Sequence, residues 1–332
     1  TPPELVLPLT LGKKVIIIGD HKQLPPMLNE KEFGEALEAI GAQKLVEDWT
    51  RSDYKISQFE KLFKNASKNF VASLDTQFRM HGQIMNCISQ FYEDQEELEN
   101  GLICGIKDTM NIADLSNKAS RWHGLNSPPF INNNTHAIWV NVETPEHRVG
   151  TSYQNEGEVK AIQTVLKALI KAEGFKDYFD SLKKEEDKEI GIITYYMPQM
   201  QKIKKSIYPT LTTANEWRNF EQHKYENAFQ LPFRIDTVDR FQGMERNIII
   251  ISTVRSDKPT DKNYEWNKFG KKGIGALGFA REIQRVNVGF SRAKRLLVVI
   301  GNEKHFAHKQ EYAEAINKMH RIDIVQLQNL VR

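Results

Sequence analysis

The stretch Arg285-Val-Asn-Val-Gly-Phe-Ser-Arg-Ala-Lys-Arg-Leu-Leu-Val-Val-Ile300 joins a basic segment to five consecutive aliphatic residues. Similar short runs, rich in β-branched residues, recur along the chain. They are too short for helices and too uniformly apolar for strands with one face in water, so they predict buried strands of a parallel sheet. The predicted strands are Val15–Ile18, Ile138–Val142, Ile190–Thr194, Ile248–Ser252 and Leu296–Ile300.

Helical patterns lie between these runs, at Ile84–Tyr92, Glu156–Glu173 and Gln199–Ile207. Alternation of helices with buried strands predicts an α/β fold with a doubly wound parallel sheet. Sheets of this kind bind ligands at the carboxyl ends of their strands. The remaining segments are interpreted as an irregular connection (100–134), a solvated charge run (183–188) and two insertions (208–234 and 257–275).

Composition and charge narrow the class of protein only a little. A net charge of +3 on 332 residues is too weak to indicate a nucleic-acid partner. Cys87 and Cys104 lack metal-site spacing, and His305 and His308 lack further ligands nearby, so we expect no disulfide framework, no metal site and solvent-facing histidines. No apolar run reaches the roughly 18 residues of a membrane span. An intracellular (cytoplasmic), soluble protein without a membrane partner is therefore expected.

The segment after the first aliphatic run carries the first candidate site. It reads Val15-Ile-Ile-Ile-Gly-Asp-His-Lys-Gln-Leu-Pro-Pro26, in which Gly19 permits a tight exit and Asp20 can cap the turn or bind a ligand. Gln23 offers both a donor and an acceptor, which suits a phosphate oxygen or a water molecule. An ordinary turn closed by proline is the alternative interpretation.

Two further polar segments adjoin predicted elements. In Leu74-Asp-Thr-Gln-Phe-Arg-Met-His81, the aromatic ring can stack on a base while the arginine reaches a phosphate, although such an arginine is more often a surface charge. In Ile235-Asp-Thr-Val-Asp-Arg-Phe-Gln-Gly-Met-Glu-Arg246, Gly243 suggests close approach of a ligand to the backbone. Glu245 could accept hydrogen bonds from ribose hydroxyls.

The opening stretch itself is the fourth candidate. Arg285 and Arg292 are seven residues apart, which places them on one face if the segment is helical. The face is then either an anion-binding stripe or a solvated surface.

Together these segments resemble motifs III to VI of superfamily 1 helicases, most closely the subgroup of the RNA helicase of nonsense-mediated decay. The resemblance spans residues 5 to 302. The matching motifs, in order, are Gly19-Asp-x-x-Gln-Leu-Pro-Pro26, Gln77-Phe-Arg-Met-His81, Ile193-Thr-Tyr-Tyr-x-x-Gln199, Phe241-Gln-Gly-x-Glu245 and Asn287-Val-x-x-Ser-Arg-Ala-Lys294. The family departs from this chain at Tyr195, where it has proline, and at Phe78, where it usually has tyrosine.

The resemblance implies two RecA-like domains, with residues 1–72 the end of the first and 73–332 the second. Arg79 and Arg292 would be arginine fingers on the γ-phosphate of ATP, and Gln23 would couple that phosphate to the nucleic-acid groove. The implied nucleotide-binding set is Asp20, Gln77, Phe78, Gly243 and Glu245. The implied path for single-stranded DNA or RNA is Pro25, Thr194, Tyr196, Thr237 and Arg255.

One family feature is absent from the sequence. No Gly-x-x-x-x-Gly-Lys-[Ser/Thr] motif occurs in the 332 residues, and no Asp-Glu pair precedes the first motif. The ligands of Mg²⁺ would therefore lie in an N-terminal RecA-like partner domain, and we expect this chain alone to hydrolyse no ATP. The alternative is a non-enzymatic binding module that retains the fold.

Overall fold

The computed structural model describes residues 10–25, 35, 38–39, 41, 57–93, 98, 100–106, 115, 120–256 and 277–332. The predicted insertion at 257–275 lies outside the described residues. The chain forms two compact units, Thr1–Ser73 and Leu74–Arg332. This division falls one residue from the predicted boundary, and the assignment of the first unit to a RecA-like domain stays a prediction.

The first unit contradicts the prediction of a buried strand at Val15–Ile18. These residues have no regular secondary structure, and Ile16 and Ile18 are 89% and 84% exposed. A strand is stable only when a neighbouring strand binds its backbone N–H and C=O groups. No strand lies beside this run in the described part of the unit. Its described elements include helix α1 (Gln58–Asn65), capped by Ser57, and a 3₁₀ turn (Lys68–Phe70).

The second unit is built on a six-stranded sheet, all of whose strands are parallel. Its spatial order is β10-β3-β9-β8-β6-β7. The strands are β3 (Ala137–Asn141), β6 (Ile190–Thr194), β7 (Phe233–Thr237), β8 (Arg246–Ser252), β9 (Ala293–Gly301) and β10 (His320–Asp323). Four of the five predicted strands are confirmed, and the predicted α/β class with a parallel sheet is confirmed with them.

Four short strands form two small ladders outside this sheet. They are β1 (Thr76–Gln77), β2 (Ile103–Cys104), β4 (His147–Val149) and β5 (Ser152–Gln154). The first two pair in parallel and the last two form an antiparallel hairpin. The β1–β2 ladder holds the segment that leads into the second motif.

Thirteen helices are described, of which α1 belongs to the first unit. Those of the second unit are α2 (Gly82–Asn86), α3 (Glu156–Lys171), α4 (Phe175–Ser181), α5 (Glu185–Lys188), α6 (Met197–Ile207), α7 (Ala214–Arg218), α8 (Phe220–His223), α9 (Val238–Phe241), α10 (Ile283–Phe290), α11 (Glu303–Phe306), α12 (Gln310–Asn317) and α13 (Ile324–Val331). Three 3₁₀ segments (Lys68–Phe70, Ser89–Tyr92 and Gly278–Arg281) complete the set. None of the helices in this described set is long and apolar enough to cross a bilayer.

Side chains of the central strands alternate between two buried faces, because successive residues of a strand point in opposite directions. Ile248 and Ile250 join one large core cluster with apolar residues of α3 and α6, including Val165. The intervening Ile249 and Ile251 are equally buried but lie outside that cluster. Both faces of the sheet are therefore covered, as a doubly wound fold requires.

The helix predictions fared unequally. The pattern at Glu156–Glu173 corresponds to α3, whose first turn is capped by Asn155. The pattern at Ile84–Tyr92 is wrong as a single helix, since α2 ends at Asn86 and a separate 3₁₀ turn, Ser89–Tyr92, follows. The amide of Gln90 bonds the carbonyls of Cys87 and Glu311, which fixes this second turn to another part of the fold instead of continuing the helix.

Candidate functional site

Parallel strands place all their starting points at one side of the sheet, which we call the amino edge. Here β8 begins at Arg246 and β9 at Ala293, and the two strands are neighbours. The backbone N–H of Arg246 donates to the carbonyl of Arg292 at 3.0 Å. The residues just before each strand, Glu245 and Arg292, are thereby brought together from segments far apart in the chain.

Arg79 reaches the same place from the segment before α2. Its Nε donates to a carboxylate oxygen of Glu245 at 2.9 Å, and its Nη1 lies 3.5 Å from the carbonyl oxygen of Ser291. The hydroxyl of Ser291 accepts a bond of 3.0 Å from Arg292. Two of the three residues expected to be catalytic therefore converge on a single serine.

The two arginines are held in different ways. Arg292 is only 2% exposed, and its guanidinium donates to the carbonyls of Val288 and Met244 at 3.0 and 3.3 Å. These two bonds fix the orientation of the guanidinium. Arg79 keeps 36% of its side chain exposed beside Glu245. One cation is fixed and the other is accessible.

The expectation that Arg285 and Arg292 share one helix face is wrong. Helix α10 ends at Phe290, so Arg292 lies beyond it. The guanidinium of Arg285 bonds the carboxylates of Asp239 and Glu282. The fourth candidate segment thus contains one ion-paired arginine, Arg285, and two buried ones, Arg292 and Arg295, in place of a basic stripe.

The second motif also divides into two roles. The Gln77 side-chain oxygen accepts the backbone N–H groups of Arg79 and Met80 at 2.9 Å each, and its amide bonds the Met80 carbonyl. Gln77 therefore shapes the turn that carries Arg79, which differs from the expected nucleotide contact. Phe78 is 64% exposed and available for stacking. Its carbonyl accepts a bond of 2.8 Å from Arg121, a residue that the sequence did not single out.

Gly243 has a φ of +83°, the left-handed conformation that glycine adopts without strain. A Cβ built at this position meets no atom within 4 Å. The positive φ therefore explains why glycine stands at this position. Crowding by a neighbouring residue does not explain it. The open space beside it, next to Glu245, is compatible with the predicted nucleotide contact.

The opposite side of the sheet, the carboxyl edge, holds the residues expected along the single-strand path. Thr194 and Thr237 end β6 and β7, and both are buried. The Thr194 hydroxyl makes no hydrogen bond with any residue that the structure describes. Tyr196 is buried and its hydroxyl accepts the backbone N–H of Phe279 at 3.2 Å.

Arg255 differs from the prediction that it lines an open path. Its Nε donates to Glu146 at 2.7 Å, and both side chains are almost completely buried, at 4% and 3% exposure. The guanidinium also lies 4.2 Å above the ring of Tyr153. The charge is engaged within the fold, because a buried carboxylate requires a partner of opposite charge.

A buried polar network that the sequence did not reveal lies next to Arg255. Glu158 accepts the Ser252 hydroxyl at 2.6 Å and the Val254 backbone N–H at 2.9 Å. Burial raises the pKa of Glu158 to about 8, against the opposing effect of these hydrogen bonds. Val254 has a φ of +72°, which costs free energy in a β-branched residue, so Glu158 fixes a strained exit from β8.

In the first unit, the predicted turn is present. Asp20 accepts the Lys22 backbone N–H at 2.9 Å and the Gln23 side-chain amide at 2.9 Å. Pro25 follows and is half-buried. The turn is local and is compatible with both interpretations of this segment, the ligand-binding one and the structural one.

Of the two histidines expected at the surface, one is exposed and the other is buried. His308 is exposed, but His305 is completely buried, because α11 turns it toward the ring of Phe306. Within the described residues, no group of three or more His, Cys, Asp or Glu side chains is arranged to hold a metal ion.

Comparison with known proteins identifies relatives of one kind. The family model described as an AAA domain matches residues 54–304, well over half of the chain. An uncharacterized ATP-dependent helicase of Methanocaldococcus jannaschii is 26% identical over 98% of this chain and 38% of its own length. A regulator of nonsense transcripts 1 homolog of Neurospora crassa is 29% identical over 91% of this chain and 21% of its own length. Helicase sen1 of Schizosaccharomyces pombe is 28% identical over 90% of this chain and 14% of its own length. The chain spans well under half the length of each.

Proposed function

Since this chain belongs to the AAA-domain family and, by its motifs and relatives, to the superfamily 1 helicases of the nonsense-mediated-decay type, we propose that it is the C-terminal motor half of an ATP-dependent helicase or translocase. Its partner would be an N-terminal RecA-like domain that supplies the phosphate-binding loop and the ligands of Mg²⁺. Its substrates would be ATP and single-stranded DNA or RNA.

The observation that carries this proposal is the convergence of Arg79 and Arg292 on Ser291 at the amino edge. Hydrolysis of ATP develops negative charge on the transferring phosphoryl group, and prepositioned guanidinium groups stabilise that charge. Arg292 is already oriented by neutral carbonyls and needs little reorganisation to act. Arg79 would exchange its bond with Glu245 for the phosphate, which frees the Glu245 carboxylate to accept a ribose hydroxyl.

The nucleotide would lie between the two domains, with Phe78 against the adenine. Closure would bring the arginine pair onto the γ-phosphate, and hydrolysis would reopen the domains. Gln23 would transmit the state of the phosphate to the strand path. Thr194, Tyr196 and Thr237 would border that path, with Arg255 supporting it from within through Glu146.

The test is the substitution Arg292→Gln in the full-length protein. We expect a fall in the kcat of ATP hydrolysis of about 10³-fold, as for other arginine fingers, with single-strand affinity unchanged. Arg321→Gln is the matched control, because this exposed arginine at the sheet margin pairs with Glu303. If the protein were a non-enzymatic binding module, the parent protein would hydrolyse no ATP. If Arg292→Gln left the kcat of ATP hydrolysis unchanged, the proposed role of Arg292 would be contradicted.

A further inference from the structure

A cavity of about 430 Å³ opens at the amino edge of the sheet, beside the arginine pair. Its volume falls within the range of small-ligand sites. It is bounded by the segment between α4 and β6 and by the starts of β8 and β9. The lining residues are Leu115, Arg121, Ser181, Leu182, Lys183, Lys184, Asp187, Glu245, Asn247, Lys294 and Arg295.

The cavity wall carries an excess of positive charge. Five of the lining side chains are cationic and two are anionic. The two anions, Asp187 and Glu245, both lie near the ammonium group of Lys294, at 3.1 and 3.7 Å. Glu245 is further neutralised by Arg79. Among the lining residues, cations therefore outnumber carboxylates.

The burial and hydrogen bonding of Arg295 are the main evidence for a ligand in this cavity. It is 5% exposed, donates through one Nη to the carbonyl of Trp122 at 2.7 Å, and forms no ion pair with any residue that the structure describes. Its Nε is buried and has no hydrogen-bond acceptor within the described residues. Burying a guanidinium that has no ion pair and an unbonded N–H costs free energy unless an anion pairs with it.

A second guanidinium lies at the same cavity. Arg121 also lines the cavity, and its three nitrogens donate to backbone carbonyls, among them that of Phe78. Burial lowers the pKa of Arg121, the charge of Arg295 lowers it further, and Glu245 acts in the opposite direction. Two like charges thus face one cavity. Lys183 and Lys184 are exposed at the same wall and form no ion pair among the described residues.

We propose that this cavity is a binding site for a small phosphate anion of the inorganic phosphate or pyrophosphate class. Several buried and exposed cations around one open cavity suit the several oxygens of such an anion. The site is distinct from the arginine pair, although Glu245 borders both. The inference goes beyond the proposed function, because it requires neither ATP hydrolysis nor a nucleic acid.

The test is calorimetric titration of the chain with inorganic pyrophosphate and, separately, inorganic phosphate at constant ionic strength without Mg²⁺. We expect one site per chain. The double substitution Lys183→Gln and Lys184→Gln removes two exposed charges and should weaken binding about tenfold. Lys294→Met should weaken it at least as much, because Asp187 and Glu245 then repel the anion. Lys160→Gln, an exposed charge remote from the cavity lining, is the matched control.

Two further measurements distinguish a failure of this proposal from a failure of the proposed function. Arg292→Gln should leave pyrophosphate binding within about twofold of the parent chain, because Arg292 does not line the cavity. Loss of binding in Arg292→Gln with retention in the lysine variant would overturn the proposal and place the anion at the arginine pair. Displacement of pyrophosphate by a mixed-sequence single-stranded oligonucleotide would also overturn it, since the site would then take backbone phosphate. If neither inorganic phosphate nor pyrophosphate binds, the proposal is contradicted.

Discussion

The two edges of the central sheet differ in what their buried arginines contact. At the carboxyl edge, Arg255 is paired with a buried carboxylate, Glu146, and a second buried carboxylate, Glu158, holds the adjacent strand exit. At the amino edge, Arg246 is also paired with a carboxylate, Glu189, but Arg292 and Arg295 donate to neutral oxygens. The carboxyl edge thus pairs its buried arginine with a buried carboxylate, whereas the described hydrogen bonds of Arg292 and Arg295 at the amino edge run to neutral oxygens.

The largest expected difference between the edges concerns stability. Arg255→Met breaks the buried ion pair with Glu146, so the free energy of unfolding should fall by about 3–5 kcal/mol. Arg79→Met removes a cation that is one-third exposed, and the expected cost is below about 1 kcal/mol. Urea denaturation of both variants provides the measurement. Equal losses would show that the two edges do not differ as described.

A smaller effect is expected at Glu158. Glu158→Ala leaves the Ser252 hydroxyl and the Val254 N–H without their buried acceptor, and should lower the free energy of unfolding by about 2–3 kcal/mol. Glu156→Ala, on the same helix, removes an exposed carboxylate paired with Lys202 and should lower the free energy of unfolding much less. If the two substitutions have similar costs in urea denaturation, the buried network does not stabilise the strand exit.

The amino edge also predicts a pH dependence. The rings of His81 and His136 stack at 3.5 Å, and His123 lies 4.6 Å from His136. Burial lowers the pKa of His81 to about 4 and of the other two to about 3, and neighbouring charges, including Arg295 for the latter pair, lower them further. Because these pKa values lie below the unfolded value of about 6.5, stability is fully present above pH 6.5 and is lost as the pH falls toward 3.

The substitution His123→Gln isolates one of these groups. It should reduce the loss of unfolding free energy between pH 7 and pH 5 by about 1–2 kcal/mol, because one proton fewer is taken up on unfolding. His308→Gln is the control, since this histidine is exposed. Denaturant titrations at both pH values give the comparison. An unchanged pH dependence in His123→Gln would contradict the assignment of neutral, buried histidines.

The central strands were predictable because β6, β8 and β9 are buried on both faces and therefore carry uninterrupted apolar runs. The same rule was wrong for Val15–Ile18, since an apolar run forms a strand only beside a pairing partner. It missed β7 and β10, whose sequences mix polar and apolar residues. Local composition reports burial, and pairing depends on residues distant in the chain.

The site was predictable in part for a related reason. The motifs identified Arg79, Glu245 and Arg292, which the fold does bring together. The pairing of Arg255 with Glu146 joins residues 109 positions apart, and no spacing rule indicates it. Lys183 and Lys184 read as a solvated charge run, and only the tertiary fold places them at a cavity with Arg295.

The most direct test of the arginine pair compares two ligands of the full-length protein: ADP and ADP with aluminium fluoride, which imitates the transferring phosphoryl group. Arg292→Gln should weaken binding of the aluminium fluoride complex by at least about 10²-fold and change the Kd of ADP by no more than about threefold. Arg321→Gln should change neither. Equal effects of Arg292→Gln on both ligands, or no effect on the aluminium fluoride complex, would contradict the claim that the amino edge serves the terminal phosphate.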